Sequence, residues 1–406
     1  NKIEDFETEK IWDFEKIKEQ DYKKLNNFFW LFSIDLKSSK NISISIIENW
    51  IRKNERFNKD LWDIDILSKR IISWLSNSKL IYDEGNIEYK KKFNRLVFKQ
   101  INHLINEINR SKDYNNKLVG CTAVILVGLA YDHENFLNYG LDLLQKIINS
   151  SFDSEYFPKS RSIRQLAFYI KYFVLIRELI KDSSNEVPEY LDEIIFHLGK
   201  GYHFVWGSHK SSLLFNGNNE SNLEKFDKYL TQQKYSFKNT KIDLGGYGIL
   251  RNKNYLLAMD IGNNPENKFI ENYQSGPLSF EIMFRDKKIF CNCGYHQNIN
   301  HRLNKISRST AAHTTLVLDN KSVTNFKKSI QGSLQNKINF RILNKNVVFE
   351  KNYWLIKGSH DGYLREYGII HERSLEFYPE KNKLIGKDKL SKKNNFKSSN
   401  FEIRFH

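Results

Sequence analysis

Cysteine is scarce in this chain, with only Cys121, Cys291 and Cys293 among 406 residues. So sparse and odd a set excludes a fold stapled by disulfides. Cys291 and Cys293 stand one residue apart, so in a strand both point to one face. That spacing is strained for a disulfide and poor for a metal knuckle. Proline is also rare, 5 in all, and none stands before Pro158. Glycine is thin up to about residue 235, so little in the first half interrupts a helix. Long apolar runs are missing too. The run from Ala123 to Val127 is closed by Gly128 and then by Tyr131-Asp132-His133-Glu134. It is far short of the ~20 apolar residues of a membrane span, and it reads as a buried helix. No GxSxG, Walker loop or HExxH is present, which removes the esterase, NTPase and zincin readings. Zinc-finger spacing, an RNP-like aromatic motif and a helix-turn-helix are likewise absent, so nucleic acid is not the expected partner.

What the chain does have is positive charge. Its formal net charge is +16, and such a surface attracts polyanions through space. The lysines are scattered, as in a chain generally rich in Lys, Asn and Ile. The densest tract, residues 381–397, reads as a solvated loop or sheet edge. The length fits two domains. The chain opens without Met and closes on a strand-like Phe401-Glu402-Ile403-Arg404-Phe405-His406, so it reads as a fragment, truncated at its C-terminal end.

The two halves follow different rules. Residues 66–75, 93–108, 118–130, 136–148 and 163–180 carry apolar side chains at helical spacing. Pro188 opens a further helix through Tyr190 and Ile195, and Gly199 and Gly201 are placed to end it. Most of these helices have two apolar stripes, which predicts packing on more than one side, as in a bundle, solenoid or toroid. From about Lys241 glycines cluster at 245, 246, 248 and 262, and short alternating runs appear at 255–261, 278–284, 288–293, 314–319, 337–343, 347–351 and 369–377. Strands at such intervals predict an antiparallel sandwich. The expected order is a helical domain over 1–237 and a β-domain over 238–406.

That order, with specific residues, resembles the heparinase II/III-like polysaccharide lyases. The matching pieces are Gly276-Pro277-Leu278-Ser279-Phe280-Glu281, Cys291-Asn292-Cys293-Gly294 and residues 308–319, Arg-Ser-Thr-Ala-Ala-His-Thr-Thr-Leu-Val-Leu-Asp. Leu214-Phe215-Asn216-Gly217, His360-Asp361-Gly362-Tyr363 and Ile369-Ile370-His371-Glu372-Arg373 add to it. The resemblance covers roughly residues 60–406. It implies an incomplete α/α toroid followed by an antiparallel β-sandwich. It also implies β-elimination on an acidic polysaccharide, a glycosaminoglycan or alginate-like polymer, in the periplasm or cell envelope. That chemistry needs a neutralised uronate carboxylate, a base for its α-proton and an acid for the leaving oxygen.

The resemblance also nominates residues. His313 sits where family members carry a histidine that helps hold a metal, often zinc. Its expected co-ligands are replaced by Gln274 and Asn292, and one histidine does not hold zinc. Pro158 stands where relatives carry a polar catalytic side chain ahead of Ser160-Arg161. Tyr202, His209 and Tyr273 are the candidate proton-transfer groups. Arg161, Arg164, Asn216, Gln274 and Arg308 are the candidate substrate contacts, the arginines through bidentate pairing with uronate carboxylates. Each tyrosine has a competing reading as a core or rim aromatic. His360 and Asp361 are adjacent, so in a strand they point apart, and they read as a turn. The losses at Pro158, Gln274 and Asn292 raise an alternative, a glycan-binding protein without turnover. Hydrolysis by a carboxylate pair is a third route, for which no convincing pair stands out.

Overall fold

A computed structural model describes residues 10–12, 18–35, 37, 39–207, 211–328, 334–336, 339–393 and 395–406. The chain is helical through its first half and antiparallel sheet after it. It divides into two compact units, residues 1–150 with 172–191, and residues 151–171 with 192–406.

In the first unit, helix Ile64–Ser76 packs against Tyr114–Ala130, which packs against Ile87–Arg110. Tyr114–Ala130 is buried along almost its whole length, as its unbroken apolar run requires. No helix among the described residues is long and apolar enough to cross a membrane. Gly120 and Gly128 let neighbours approach: a Cβ there would lie 2.6 Å from Ile108 and 2.6 Å from the Leu137 backbone. Arg70 is fully buried among Phe28, Trp50 and Trp74. Its guanidinium lies 4.5 Å from the Trp50 ring and donates to Asn26 O and Leu61 O, and burial lowers its pKa to about 9.

In the second unit the strands are β1 (Asp243–Leu244), β2 (Tyr247–Arg251), β3 (Tyr255–Asp260), β4 (Phe280–Phe284), β5 (Lys287–Phe290), β6 (Leu316–Leu318), β7 (Phe326–Lys328), β8 (Leu334–Asn336), β9 (Ile342–Phe349), β10 (Trp354–His360), β11 (Ile369–Tyr378), β12 (Lys383–Lys392) and β13 (Phe401–Ile403). They form a five-stranded sheet, β1-β2-β3-β4-β5, a four-stranded sheet, β12-β11-β10-β9, and the pairs β13-β6 and β7-β8. Leu250, Leu257, Met259, Leu278, Phe280 and Ile282 interdigitate with Trp354, Ile356, Leu375 and Phe377 of the other large sheet. This shared core makes the two sheets a sandwich.

Four expectations need correction. Gly199 and Gly201 do not end the helix that contains them, which runs over Glu189–Val205. Gly199 is needed for room: a Cβ there would sit 2.0 Å from the Phe237 ring. The helix ends instead where Arg251 donates to the Val205 carbonyl at 3.1 Å and to that of Phe204, a cation on the negative end of the helix. Of the runs at 337–343 and 347–351, only residues 342–343 and 347–349 are strand, both parts of the single strand β9, while 337 and 338 lie outside the described residues. His360 closes β10 rather than a turn, and β5 ends at Phe290, before either cysteine of the close pair.

The inner face of the four-stranded sheet carries a buried polar chain. Gly362 N–H donates to His360 Nδ1 at 3.0 Å, so the His360 proton sits on Nε2, facing His371 Nδ1 at 3.1 Å. His371 Nε2 then donates to Asp388 Oδ1 at 2.6 Å. Arg373 completes the chain, donating to both Asp388 oxygens at 2.8 and 3.0 Å and to the Leu278 and Thr314 carbonyls. It thereby ties this sheet to the segment before β4 and the segment before β6. Burial works against the Asp388 charge, but the bonds from His371 and Arg373 outweigh it and hold the carboxyl at about 2.

A pH dependence follows. Burial lowers the pKa of His360 and His371, and that of His313 to about 3. The unfolded chain takes up a proton at each below about pH 6.5 while the folded chain does not, so stability falls as pH drops from about 6.5. Glu281 opposes this, because burial raises its carboxyl to about 7 and the folded state keeps that proton between about pH 4.5 and 7. Three histidines against one carboxyl leave a net loss. The melting temperature should fall between pH 7 and pH 5, and His360→Phe should flatten that slope whatever it does to absolute stability. A melting temperature that rises on acidification would refute the assignment.

Candidate functional site

The signature segments meet in one place in the second unit. Gly276 lies under the His313 ring, where a Cβ would come within 2.9 Å of Cγ, which is why glycine stands there. The Ser/Thr run replaces ladder hydrogen bonds with side-chain ones. Ser275 Oγ pairs with Thr310 Oγ1 at 2.9 Å and accepts from Thr324 N. Thr315 Oγ1 donates to Pro277 O at 2.8 Å, and Thr314 Oγ1 accepts from Phe280 N at 2.9 Å. These bonds satisfy backbone groups that an irregular buried loop would otherwise leave unpaired.

Arg161 is the centre of the arrangement. It stands at φ 56° in the turn before helix Ile163–Asp182 and is buried. Its five N–H donors meet five acceptors: Gly245 O, Gly262 O, Asn263 O, Gly246 O and Asp260 Oδ1, the last at 2.5 Å. The guanidinium lies 4.9 Å from the Tyr247 ring, whose hydroxyl donates to Arg161 O. Burial opposes its charge, yet Asp260 beside it holds the guanidinium above its ordinary range. Asp260 Oδ2 accepts from Asn216 Nδ2 at 3.1 Å. Asn216 also donates to Tyr247 and accepts from Gln274 N. Gln274 accepts from Gly217 N and donates to Gly294 O and Ser307 O. Arg308 donates to Asn304 Oδ1, to the Ile270, Tyr273 and Glu271 carbonyls and to the Tyr295 hydroxyl. The structure thus brings Arg161, Asn216, Gln274 and Arg308 into one buried network. Their polar atoms are engaged within the protein, so as built they offer no free donor to a substrate.

The proton-transfer candidates are not gathered in the same way. Tyr273 is fully buried, with its pKa raised well above the ordinary value by burial and by Asp260. Tyr202 donates to Asp227 Oδ1 at 2.7 Å and lies 4.8 Å from the Trp206 ring. The two tyrosines share no partner among the described residues, and His209 lies outside them. Arg164, by contrast, is exposed and has no hydrogen-bond or ion-pair partner among the described residues. Beside the Arg161 clamp opens a pocket of about 630 Å³, bordered by Pro158, Lys159, Gly262, Asn263, Asn344 and Lys345.

The surroundings of His313 do not fit a divalent metal. Its Nδ1 faces Asn292 Oδ1 at 3.3 Å, and its buried Nε2 has no hydrogen-bond partner among the described residues. One imidazole and one carboxamide make a poor donor set, and no group of three His, Cys, Asp or Glu side chains clusters among the described residues. Asn292 is held instead by Glu281, which accepts from its N–H and Nδ2 and from Leu214 N.

Sequence reasoning overlooked Asp260, Tyr247, Glu281 and Asp388. A signal existed for two of them. Asp260 and Glu281 are the acids within otherwise apolar runs, Tyr-Leu-Leu-Ala-Met-Asp-Ile and Phe-Glu-Ile-Met-Phe, and a carboxylate carried inside such a run needs a partner.

Comparison with known proteins agrees with this architecture. Residues 238–406 match the family described as Heparinase II/III-like, C-terminal. No curated protein matches by sequence. Among solved structures, the heparan sulfate lyase HepC of Pedobacter heparinus superposes over 91% of this chain and 62% of its own, with a TM-score of 0.63 and 13% identity. A structure entitled Heparinase III superposes over 91% of this chain and 63% of its own, at 0.66 and 16%. A heparinase III gene product does so over 95% and 66%, at 0.68 and 16%. The chain therefore spans less than two thirds of the length of these proteins, and at such identities the likeness is one of fold. Residues 238–406 thus carry a heparinase II/III-like C-terminal domain, and the fold of the chain is that of the heparinase structures.

Proposed function

We propose that this protein is a polysaccharide lyase that cleaves a uronate-containing polysaccharide of the glycosaminoglycan class by β-elimination. The observation that carries this reading is the fold shared with a heparan sulfate lyase structure and two heparinase III structures over more than nine tenths of the chain, an argument by analogy of fold. The formal charge of +16 suits a polyanionic substrate. In the reaction a base removes the proton α to the uronate carboxylate, and the electron pair forms the ring double bond. The bond to the glycosidic oxygen breaks, and that oxygen takes up a proton. With Arg161 engaged internally, Arg164 is the free guanidinium for the substrate carboxylate, and His209 is the candidate base. The pocket bordered by Lys159 and Lys345 is the candidate cradle for a sugar unit. We assign the activity to the periplasm or cell envelope, and the working division remains residues 1–237 and 238–406.

A second reading, an anionic-glycan-binding protein without turnover, draws on a specific observation. Arg161, Asn216, Gln274 and Arg308 are all bound internally, Tyr202 holds Asp227, and Tyr273 has no exposed surface.

Purified protein mixed with heparan sulfate, other glycosaminoglycans and alginate separates the two. The lyase reading predicts a rise in the ultraviolet absorbance of unsaturated uronate on at least one polymer. His209→Ala should slow that rise by about 100-fold or more, and Arg164→Ala should slow it with little change in melting temperature. Binding with no absorbance change on any uronate polymer would transfer the assignment to the second reading.

A further inference from the structure

We propose that the β12 edge of the four-stranded sheet is a docking track for a sulfated or carboxylated polysaccharide chain, separate from the network around Arg161. β12 is the last strand of its sheet, so beyond it lies no bonded neighbour. Its residues alternate in direction. Leu384, Asp388 and Leu390 turn toward the interior, where Asp388 is bound by His371 and Arg373. Lys383, Lys387 and Lys389 lie on the other face and are exposed. The acids across the outer face are already matched, Glu372 with Lys357 at 3.1 Å and Glu376 with Lys387 at 3.0 Å. Lys383, Lys389, Lys392, Lys393 and Lys397 have no ion-pair partner among the described residues, and all are exposed. Glu380, also exposed, stands at the start of the tract.

At ~3.3 Å per strand residue Lys383 to Lys392 span about 30 Å along the edge. Lys383 and Lys389 lie on the outer face and Lys392 across from Ile369 on the other, so the cations follow the strand as a line. The line suits a polymer with regularly repeated anions better than it suits a small anion. It is also fixed in place, since Lys393 N donates to Gly368 O at 2.8 Å and Lys397 N to Tyr367 O at 2.9 Å. It leads to a second pocket of about 320 Å³ bordered by Lys321, Arg365, Glu366, Tyr367 and Lys397. There Lys321 is paired with Glu366, and Arg365 has no partner among the described residues. Lysines on an edge strand also discourage edge-to-edge pairing. That role does not account for their continuation past the strand end to a pocket with a free guanidinium.

The track concerns binding and stands whether or not the protein turns over its ligand. Binding of heparan sulfate chains to the intact protein is measured at low and at near-physiological ionic strength, alongside duplex DNA and an uncharged dextran. The variant Lys383→Gln/Lys389→Gln/Lys392→Gln/Lys393→Gln should bind heparan sulfate about tenfold more weakly at low salt, with a shallower salt dependence, and adding Arg365→Gln should weaken it further. The control Lys37→Gln/Lys59→Gln/Lys91→Gln/Lys112→Gln removes the same charge from exposed sites elsewhere and should change binding less than about twofold. Near-ultraviolet circular dichroism should stay unchanged in both. An equal loss in the control overturns the proposal, because net charge would then be the cause. Duplex DNA binding more tightly than heparan sulfate and lost with the same four lysines overturns it in favour of a nucleic-acid surface.

Discussion

One buried guanidinium organises the second unit. Five acceptors surround Arg161, four of them backbone carbonyls from the β1–β2 turn and the segment after β3. Two glycines of the cluster at the start of the β-half make room for it. A Cβ on Gly246 or Gly262 would lie 2.7 Å or 2.4 Å from guanidinium atoms, and Gly246 also stands at φ 80°. An arginine held in this way needs a counter-charge in the same low-dielectric space, which Asp260 supplies. From Asp260 the bonds run to Asn216, then Gln274, then the Gly294 and Ser307 carbonyls. The turn ahead of one helix, the Asn216-Gly217 turn and the family signature are thereby fixed to one another.

This explains why a segment can keep a family signature while its residues serve the fold. Gln274 and Asn292 carry no charge and take up neighbouring donors and acceptors, and burial keeps His313 neutral. Arg164, exposed and unpaired among the described residues, lies outside the network. The lysine line of β12 adds an affinity for polyanions that does not pass through the network at all.

Much of this was legible in the chain. Helical spacing gave the helices, short apolar runs gave β3 and β4, which are buried on both faces, and alternation gave β11, which has one buried face. β12 was left between loop and sheet edge because an edge strand with exposed lysines has too weak an alternation, and β10 was missed because its period is broken at Gly358 and Ser359. Gly199 misled because helix-stopping and close packing favour the same residue. Arg161 and Arg308 read as substrate contacts, because a sequence shows an arginine's charge and not its burial. Their partners lie up to 102 residues away, and only the folded chain reveals that burial. The Asn216 turn was readable from Asn-Gly alone, but its bond to Asp260 was not.

The central claim is that the Arg161–Asp260 pair holds the scaffold. A double-mutant cycle in urea unfolding, with Arg161→Leu, Asp260→Leu and the double variant, tests it most directly. Each single change leaves a buried charge unpaired and should cost about 3–5 kcal/mol. The double variant should cost clearly less than their sum, with a coupling of at least about 1 kcal/mol. Additive losses, or single variants as stable as the parent, would contradict the account.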